Sequence, residues 1–317
     1  MTFKPLNEND TVNTRTLLHE AIPLTGAIVS GTYGTNNIKT YSHGMFQSVY
    51  DYPYLSSSAN HIFDITAGMH LNGTIATSDT QYSKKRNIYN QMAQVLMGYD
   101  ATGSIRKFDE DGNLLAGNKL EECFIMPFSR LLVKDEIKKE TFSMQLDVKD
   151  FTSSAQPFGT NDIITISDLS ASTGYKTNSP AGDYGILYAT ASTTLLNGSS
   201  TRKETFGSDD YWYAGLIFYQ AGIVVLTGSV FGSQLAAPLD AGGGTTTYYN
   251  DGSDLGIDKV LTGSTIDVIG DSLRHRIANI QFNNTTELNS TVYFCRINHN
   301  EFNYSSNPTY LSNSKIQ

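Results

Sequence analysis

The chain carries no charged residue between Asp210 and Asp240, and this stretch constrains the fold more than any other feature. A membrane-spanning helix needs ~20 predominantly apolar residues, but glycine and polar residues interrupt this run. Its apolar segments, Leu216–Tyr219 and Ile223–Leu226, are each about one strand long and rich in β-branched or aromatic residues. A short glycine-containing connection joins them, so the stretch predicts a β-hairpin and no membrane span.

The two predicted strands are apolar on both faces, so both faces must be covered by other protein. The covering layer is either the rest of this chain or another subunit. If it is another subunit, Phe218 and Tyr219 lie in an interface, and we treat them as interface candidates.

The composition predicts a mainly β fold built of β-sandwich-like antiparallel sheets. Charged residues make up 17% of the chain, below the ~25% typical of globular domains. Tyrosine (19), phenylalanine (15) and glycine (27) are plentiful, as expected for strands joined by many turns. Low charge with many neutral polar groups also suits surfaces that become buried in partners.

Periodicity predicts one or two short helices, at about residues 83–97 and 265–276. In the first, an apolar stripe recurs at helical spacing, and Ser83 and Gly98 are suited to cap its two ends. Its first turn carries Lys84, Lys85 and Arg86, where cations oppose the helix dipole. These three residues are either a solvated helix end or a contact with an acidic surface of a partner.

The net charge of −9 and the pI of about 5.1 argue against a general nucleic-acid binder, which would show a basic stripe. The first residues contain no apolar signal-peptide core, so we expect synthesis in a reducing cytoplasm. Cys123 and Cys295 each sit among apolar residues. They are expected to be buried free thiols, with a disulfide as the alternative.

Motif searches yield no catalytic residue, metal ligand or cofactor site, so the chain is expected not to be an enzyme. The glycine-rich segment 240–247 lacks the lysine and helix of a phosphate loop, and no serine-hydrolase elbow occurs. The six histidines, His61 and His70 among them, are scattered and are expected to be structural. Asp109, Asp111 and Asn113 alternate as in a calcium loop, but leucines stand where that loop needs glycine and glutamate.

A carbohydrate-binding surface is harder to exclude. Aromatic rings stack on sugars, and carboxylates accept hydrogen bonds from sugar hydroxyl groups. The candidate glycan contacts are Asp209, Asp210, Tyr211, Trp212 and Tyr213. The alternative is that these five residues are simply the rim of the uncharged hairpin.

Two regions are predicted, with an uncertain boundary near 155: an N-terminal arm plus β-rich region with one helix (1–155), and a β-rich region with an extended tail (156–317). Residues 280–297 are expected to form a second hairpin. The tail is too apolar for a purely disordered segment, so it is expected to lie on a neighbouring surface of this chain or another subunit. Its interface candidates are Phe302, Tyr304, Pro308 and Tyr310.

Several segments resemble virion structural proteins of tailed bacteriophages, in particular marine phages with contractile tails. They are "GLIFYQAGIVVLTG", "VKDEIKKETFSMQL", "AGDYGILY" and "IQFNNTTELNSTVYFCRINHNEFNYSSNPTY". The resemblance covers scattered patches and is strongest from Ala181 to Tyr310. It implies a non-enzymatic assembly protein of the virion, in a tail baseplate or neck, that contacts other virion proteins and copies of itself. The alternatives are a capsid decoration protein and a receptor-binding fibre or spike module that binds glycans.

Overall fold

The computed structural model describes residues 6–23, 37–72, 80–115, 117–147, 163–190, 203–231 and 265–295, with 309, 311–312 and 315–316. The chain divides by contacts into two compact units. One comprises residues 1–18 and 286–317, and the other comprises residues 19–285. Strands on both sides of the boundary expected near 155 pair within the second unit, so this division differs from the predicted one. Residues 148–162 themselves lie outside the described ranges.

The fold is mainly β and its large sheet is antiparallel, which confirms the predicted fold class. The strands are β1 (Thr11–Pro23), β2 (Ile38–Thr40), β3 (Gln47–Tyr50), β4 (His61–Met69), β5 (Phe108–Asp109), β6 (Lys119–Leu120), β7 (Glu122–Pro127), β8 (Glu136–Ile137), β9 (Ser143–Asp147), β10 (Ile163–Ser167), β11 (Tyr184–Thr190), β12 (Lys203–Phe206), β13 (Asp209–Phe218), β14 (Ile223–Thr227), β15 (Ile277–Tyr293), β16 (Leu311–Ser312) and β17 (Lys315–Ile316).

The uncharged hairpin predicted from the sequence is β13–β14, at the centre of the sheet of the second unit. The strand order there is β15-β9-β10-β11-β13-β14-β7-β4-β3-β2. Each face of the hairpin packs into its own apolar cluster: the first core cluster takes Ile217 and Tyr219, and the second takes Leu216 and Phe218. The covering layer is therefore this chain itself.

Phe218 and Tyr219 are fully buried within the chain. Their assignment as interface residues was wrong, because both sides of the hairpin are already covered by the chain's own elements. The burial follows from the strand's central place in a sheet whose two faces are both packed.

A β-bulge in β13 changes which face each side chain of this strand occupies. The pairing with β11 shifts register between Leu187 and Tyr188, whose partners are Gly215 and Tyr213, so Ala214 is the extra residue. Trp212 and Ala214 lie on the first-cluster side, whereas the even-numbered residues beyond the bulge lie on the other side. A Cβ on Gly215 would lie 2.1 Å from a carbonyl oxygen of β14, so only glycine is accommodated here.

Four helices are described: α1 (Tyr82–Leu96), α2 (Arg130–Val133), α3 (Ala171–Gly174) and α4 (Ile266–Arg276). The predictions for residues 83–97 and 265–276 are thus confirmed. The residue before helix α1 is Gln81, whose backbone is in the left-handed region, so the helix is not capped by Ser83 as expected. At the other end Gly98 follows the helix with φ +73°. No helix of the described ranges is long and apolar enough to cross a membrane.

The expected second hairpin at 280–297 is wrong. The chain instead continues as one strand, β15, through Asn283 and Asn284. The turn reading failed because Asn284 is buried: its amide donates to the carbonyl of Leu132, so it is a structural residue within the strand.

Candidate functional site

The five candidate glycan contacts lie at the start of β13, in a hairpin with β12 closed by Gly207 at φ +69°. Because side chains alternate along a strand, Trp212 packs against the first core cluster, whereas Tyr211 and Tyr213 pack against the second. The three rings therefore do not form one platform for a sugar.

The polar groups of this hairpin are largely engaged by the chain itself. The Tyr213 hydroxyl donates to the Glu204 carboxylate, and burial, together with this carboxylate, raises the pKa of Tyr213. The Thr205 hydroxyl donates to Asp210 at 2.7 Å, and Asp209 is exposed. The Trp212 indole nitrogen is buried and donates to no described residue, so it is not offered to a ligand at the surface.

The three cations at the start of α1 do not form one surface. Lys84 Nζ donates to the carbonyl of His43 at 2.8 Å, and the Arg86 guanidinium lies 5.7 Å from the centroid of the Tyr82 ring. Lys85 is fully buried, so its assignment as an interface residue was wrong. The contact of Lys84 and Arg86 with a partner stays a prediction.

Tyr219 takes part in a buried polar network that sequence reasoning missed. Its hydroxyl donates to Asp168 Oδ2 at 2.9 Å. The backbone N–H groups of Glu140 and Phe142 donate to the same carboxyl group, at 2.8 and 3.1 Å. Burial raises the pKa of Asp168 to about 6, although these donated hydrogen bonds oppose the rise. The network fixes the turn that precedes β9, so its role is structural.

In the segment whose acidic spacing resembles a calcium loop, a carboxylate pairs with a lysine of the same chain. Asp109 is buried, and its carboxylate forms an ion pair with Lys119 and accepts the N–H of Leu114. Within the described ranges no group of three or more metal-ligating side chains occurs. Of the two cysteines, Cys123 is buried as expected, but Cys295 is exposed; both are free thiols.

The unit of residues 1–18 and 286–317 contains a two-stranded ribbon formed by β1 and β15. The backbone N–H of Phe294 donates to the carbonyl of Asp10, and the hydroxyl of Thr14 donates to the carbonyl of Ser290 at 3.5 Å. The tail candidates Phe302, Tyr304, Pro308 and Tyr310, by contrast, lie outside the described residues.

The ribbon has one polar and one charge-free face. On the polar face the Thr291 hydroxyl donates to Asn13 at 2.7 Å, and Arg15 forms an ion pair with Glu287. Because alternate residues share a face, the other face carries no charged side chain from Val12 to Leu18 of β1 or from Leu288 to Val292 of β15. Its members are Val12, Thr14, Thr16, Leu18, Leu288, Ser290 and Val292.

The large apolar side chains of the charge-free face are about half exposed: Val12 at 44%, Leu288 at 50% and Val292 at 45%. The sequence signal for this surface is the alternation in "TVNTRTLL" and "ELNSTVY", which the expectation of a turn at 280–297 concealed. Sequence reasoning therefore missed this apolar surface.

The described chain is a mainly β protein with a packed central sheet and an amphipathic ribbon. No protein-family model, curated protein or solved structure matches it.

Proposed function

We propose that this chain is a non-enzymatic structural subunit of a tailed-phage virion, in the tail baseplate or neck. It acts through interfaces with other virion proteins and with copies of itself. The resemblance of its strand segments to tailed-phage virion proteins supports the virion setting, and the ribbon supports the role of interfaces.

The observation that carries the proposal is the charge-free face of the ribbon. A two-stranded ribbon is marginally stable in water unless an apolar face is covered. Burying one aliphatic side chain fully contributes about 1.5–3 kcal/mol, so each half-exposed Val or Leu leaves about 1 kcal/mol unused. A partner that covers Val12, Leu288 and Val292 together recovers this free energy.

The charge distribution also suits association at the ribbon. The unit of residues 1–18 and 286–317 is electrically neutral, so the net charge of −9 belongs entirely to residues 19–285. Neighbouring copies therefore meet no net repulsion at the ribbon itself. The neutral unit contains Lys4, Glu8, Asp10, Arg15, Glu287, Arg296, Glu301 and Lys315.

A matched pair of substitutions tests the role of the face. Leu288→Asn places an amide on the charge-free face, and Leu17→Asn places the same group on the polar face, where Leu17 is 47% exposed. We expect particles assembled with Leu288→Asn to contain at least about tenfold less of the subunit, whereas Leu17→Asn is incorporated normally. Equal incorporation of both variants would refute the proposal.

Quantitative mass spectrometry of purified particles, scaled to the major capsid protein, tests the location. A copy number of a few times six or twelve supports the tail or neck. Hundreds of copies would instead indicate the capsid decoration alternative. Absence from the particle would refute the structural role.

A further inference from the structure

The outward face of β2–β4 carries a cluster of polar and aromatic side chains that the structural role does not use. In this part of the sheet Lys39 pairs with Ser48, and Ser48 pairs with Asp64. The residues that alternate with them, Val49 and Phe63 among others, are buried in the first core cluster. The three polar residues therefore share the face away from that core.

A β-bulge adds an imidazole to this face. In a regular strand His61 and Asp64, three residues apart, would point to opposite sides. The register between β3 and β4 shifts so that Tyr50 pairs with His61 while Val49 pairs with Phe63, and Ile62 is the extra residue. His61 Nε2 consequently lies 2.8 Å from Asp64 Oδ1. Bulges commonly re-aim a side chain next to a functional site.

The hydrogen bonds within the cluster leave one carboxylate oxygen open. Asp64 Oδ1 accepts the hydroxyl of Ser48 at 2.5 Å and contacts His61. Among the described residues, Asp64 Oδ2 contacts no donor, and the side chain is 26% exposed. Because the carboxylate stands between serine and histidine, the histidine does not contact the hydroxyl as a general base must. The arrangement is suited to binding a ligand and not to nucleophilic catalysis.

Aromatic rings lie next to His61, the residue that contacts this carboxylate. The Tyr50 ring lies 5.6 Å from the His61 ring in a T-shaped arrangement and 6.4 Å from the Tyr54 ring. Tyr54 is 37% exposed and Tyr52 is 56% exposed.

The loop that presents these tyrosines is held in place before any ligand arrives. Asp51 Oδ1 accepts the N–H groups of Tyr52 and Asn60, at 2.8 and 2.6 Å. The Asn37 amide donates to the carbonyls of Tyr50 and Asp51. Preordering of this kind lowers the entropic cost of binding.

We propose that this face binds a neutral saccharide, with Asp64 Oδ2 accepting a sugar hydroxyl and the rings of Tyr50 and Tyr54 contacting its C–H face. An uncommitted carboxylate beside rings with an apolar face and a polar tip is the chemistry that such a ligand needs. A phosphate or nucleic acid would be repelled by Asp64, and the Lys39 ammonium is already placed 5.0 Å from the Tyr41 ring centroid.

The test uses the full chain and an array of immobilised neutral oligosaccharides built from hexose and N-acetylhexosamine units, followed by titration of any oligosaccharide that binds. We expect saturable binding to at least one structure. Asp64→Asn removes the charge while conserving shape, and Tyr54→Ala removes a ring from an exposed loop position. Each should weaken the affinity about tenfold or more.

Two variants serve as controls. Tyr99→Ala removes another exposed tyrosine, at 51% against 37% for Tyr54, from a different part of the chain and should leave the affinity unchanged. Trp212→Ala should also leave it unchanged, because the hairpin at Asp209–Tyr213 is not the proposed site. Absence of binding across the array, or binding that Asp64→Asn and Tyr54→Ala leave unaltered, would overturn the proposal. The outcome is independent of incorporation into particles.

Discussion

The burial of Asp168 makes the stability of the protein depend on pH in a direction opposite to that of most carboxylates, and the hydrogen bond from Tyr219 partly offsets this effect. Burial raises the pKa of Asp168 to about 6, above its ordinary value of 3.8. The folded state therefore binds this proton more tightly than the unfolded state. The contribution of Asp168 to stability is full below about pH 4 and is lost as the pH rises through about 6. With ~1.4 kcal/mol for each pH unit, the loss is about 3 kcal/mol.

Tyr219→Phe removes the donated hydroxyl while keeping the ring that fills the first core cluster. At pH 4.5, where Asp168 is mostly protonated in the folded state, we expect a loss of about 1 kcal/mol in the free energy of unfolding, as for a neutral hydrogen bond. At pH 8 the carboxylate is charged and loses one of its donors, so the loss should rise to about 2–3 kcal/mol. Denaturant unfolding at the two pH values measures both.

The matched control is Tyr89→Phe. Tyr89 is also buried, but its hydroxyl has neutral partners: it donates to the carbonyl of Leu120 at 2.7 Å and accepts the N–H of Phe108 at 3.2 Å. The loss should be about 2 kcal/mol, because two hydrogen bonds are removed, and it should be equal at both pH values. If Tyr219→Phe costs the same at pH 4.5 and pH 8, the assignment of the hydrogen bond to a titrating buried carboxyl group is refuted.

Three further substitutions, one of them with a control variant, test local features by the same unfolding measurement. Gly215→Ala drives a Cβ against backbone in β14 and should cost about 3 kcal/mol, whereas Gly117→Ala, which meets no atom within 4 Å, should cost less than about 1 kcal/mol. Lys134→Gly relieves the backbone strain of a residue at φ 60° and ψ −120° and should stabilise the folded protein by about 1 kcal/mol. A loss of stability would contradict the presence of this strain. Lys119→Met leaves the buried Asp109 carboxylate without its cation and should cost about 2 kcal/mol or more, so an unchanged stability would exclude that pairing.

Strong local patterns allowed correct prediction of the hairpin β13–β14 and of both longer helices. Their signals are a charge-free run with a glycine-containing turn, and apolar spacing at the helical period. The composition likewise predicted the fold class, since few charges and many tyrosines and glycines are typical of strands and turns.

Predictions failed where tertiary pairing overrides local chemistry. Asn283 and Asn284 have the composition of a turn, but the amide of Asn284 finds a backbone partner across the fold, so β15 continues through them. Lys85 looks like a solvated cation in sequence, yet it is fully buried. The cluster at Asp64 was missed because strict alternation places His61 on the other side of the strand.

Each of the bulges at Ile62 and Ala214 changes the side of the sheet on which the residues beyond it lie, relative to the residues before it. A strand is read in steps of two, and one inserted residue exchanges the inward and outward sets for everything that follows. Deleting Ala214 should therefore turn the side chains on one side of that bulge towards the wrong layer, and deleting Ile62 should turn His61 away from Asp64. A compensating insertion in the same strand restores the original alternation of inward and outward side chains. Such deletions should therefore be suppressed by insertions within the same strand and not by substitutions elsewhere.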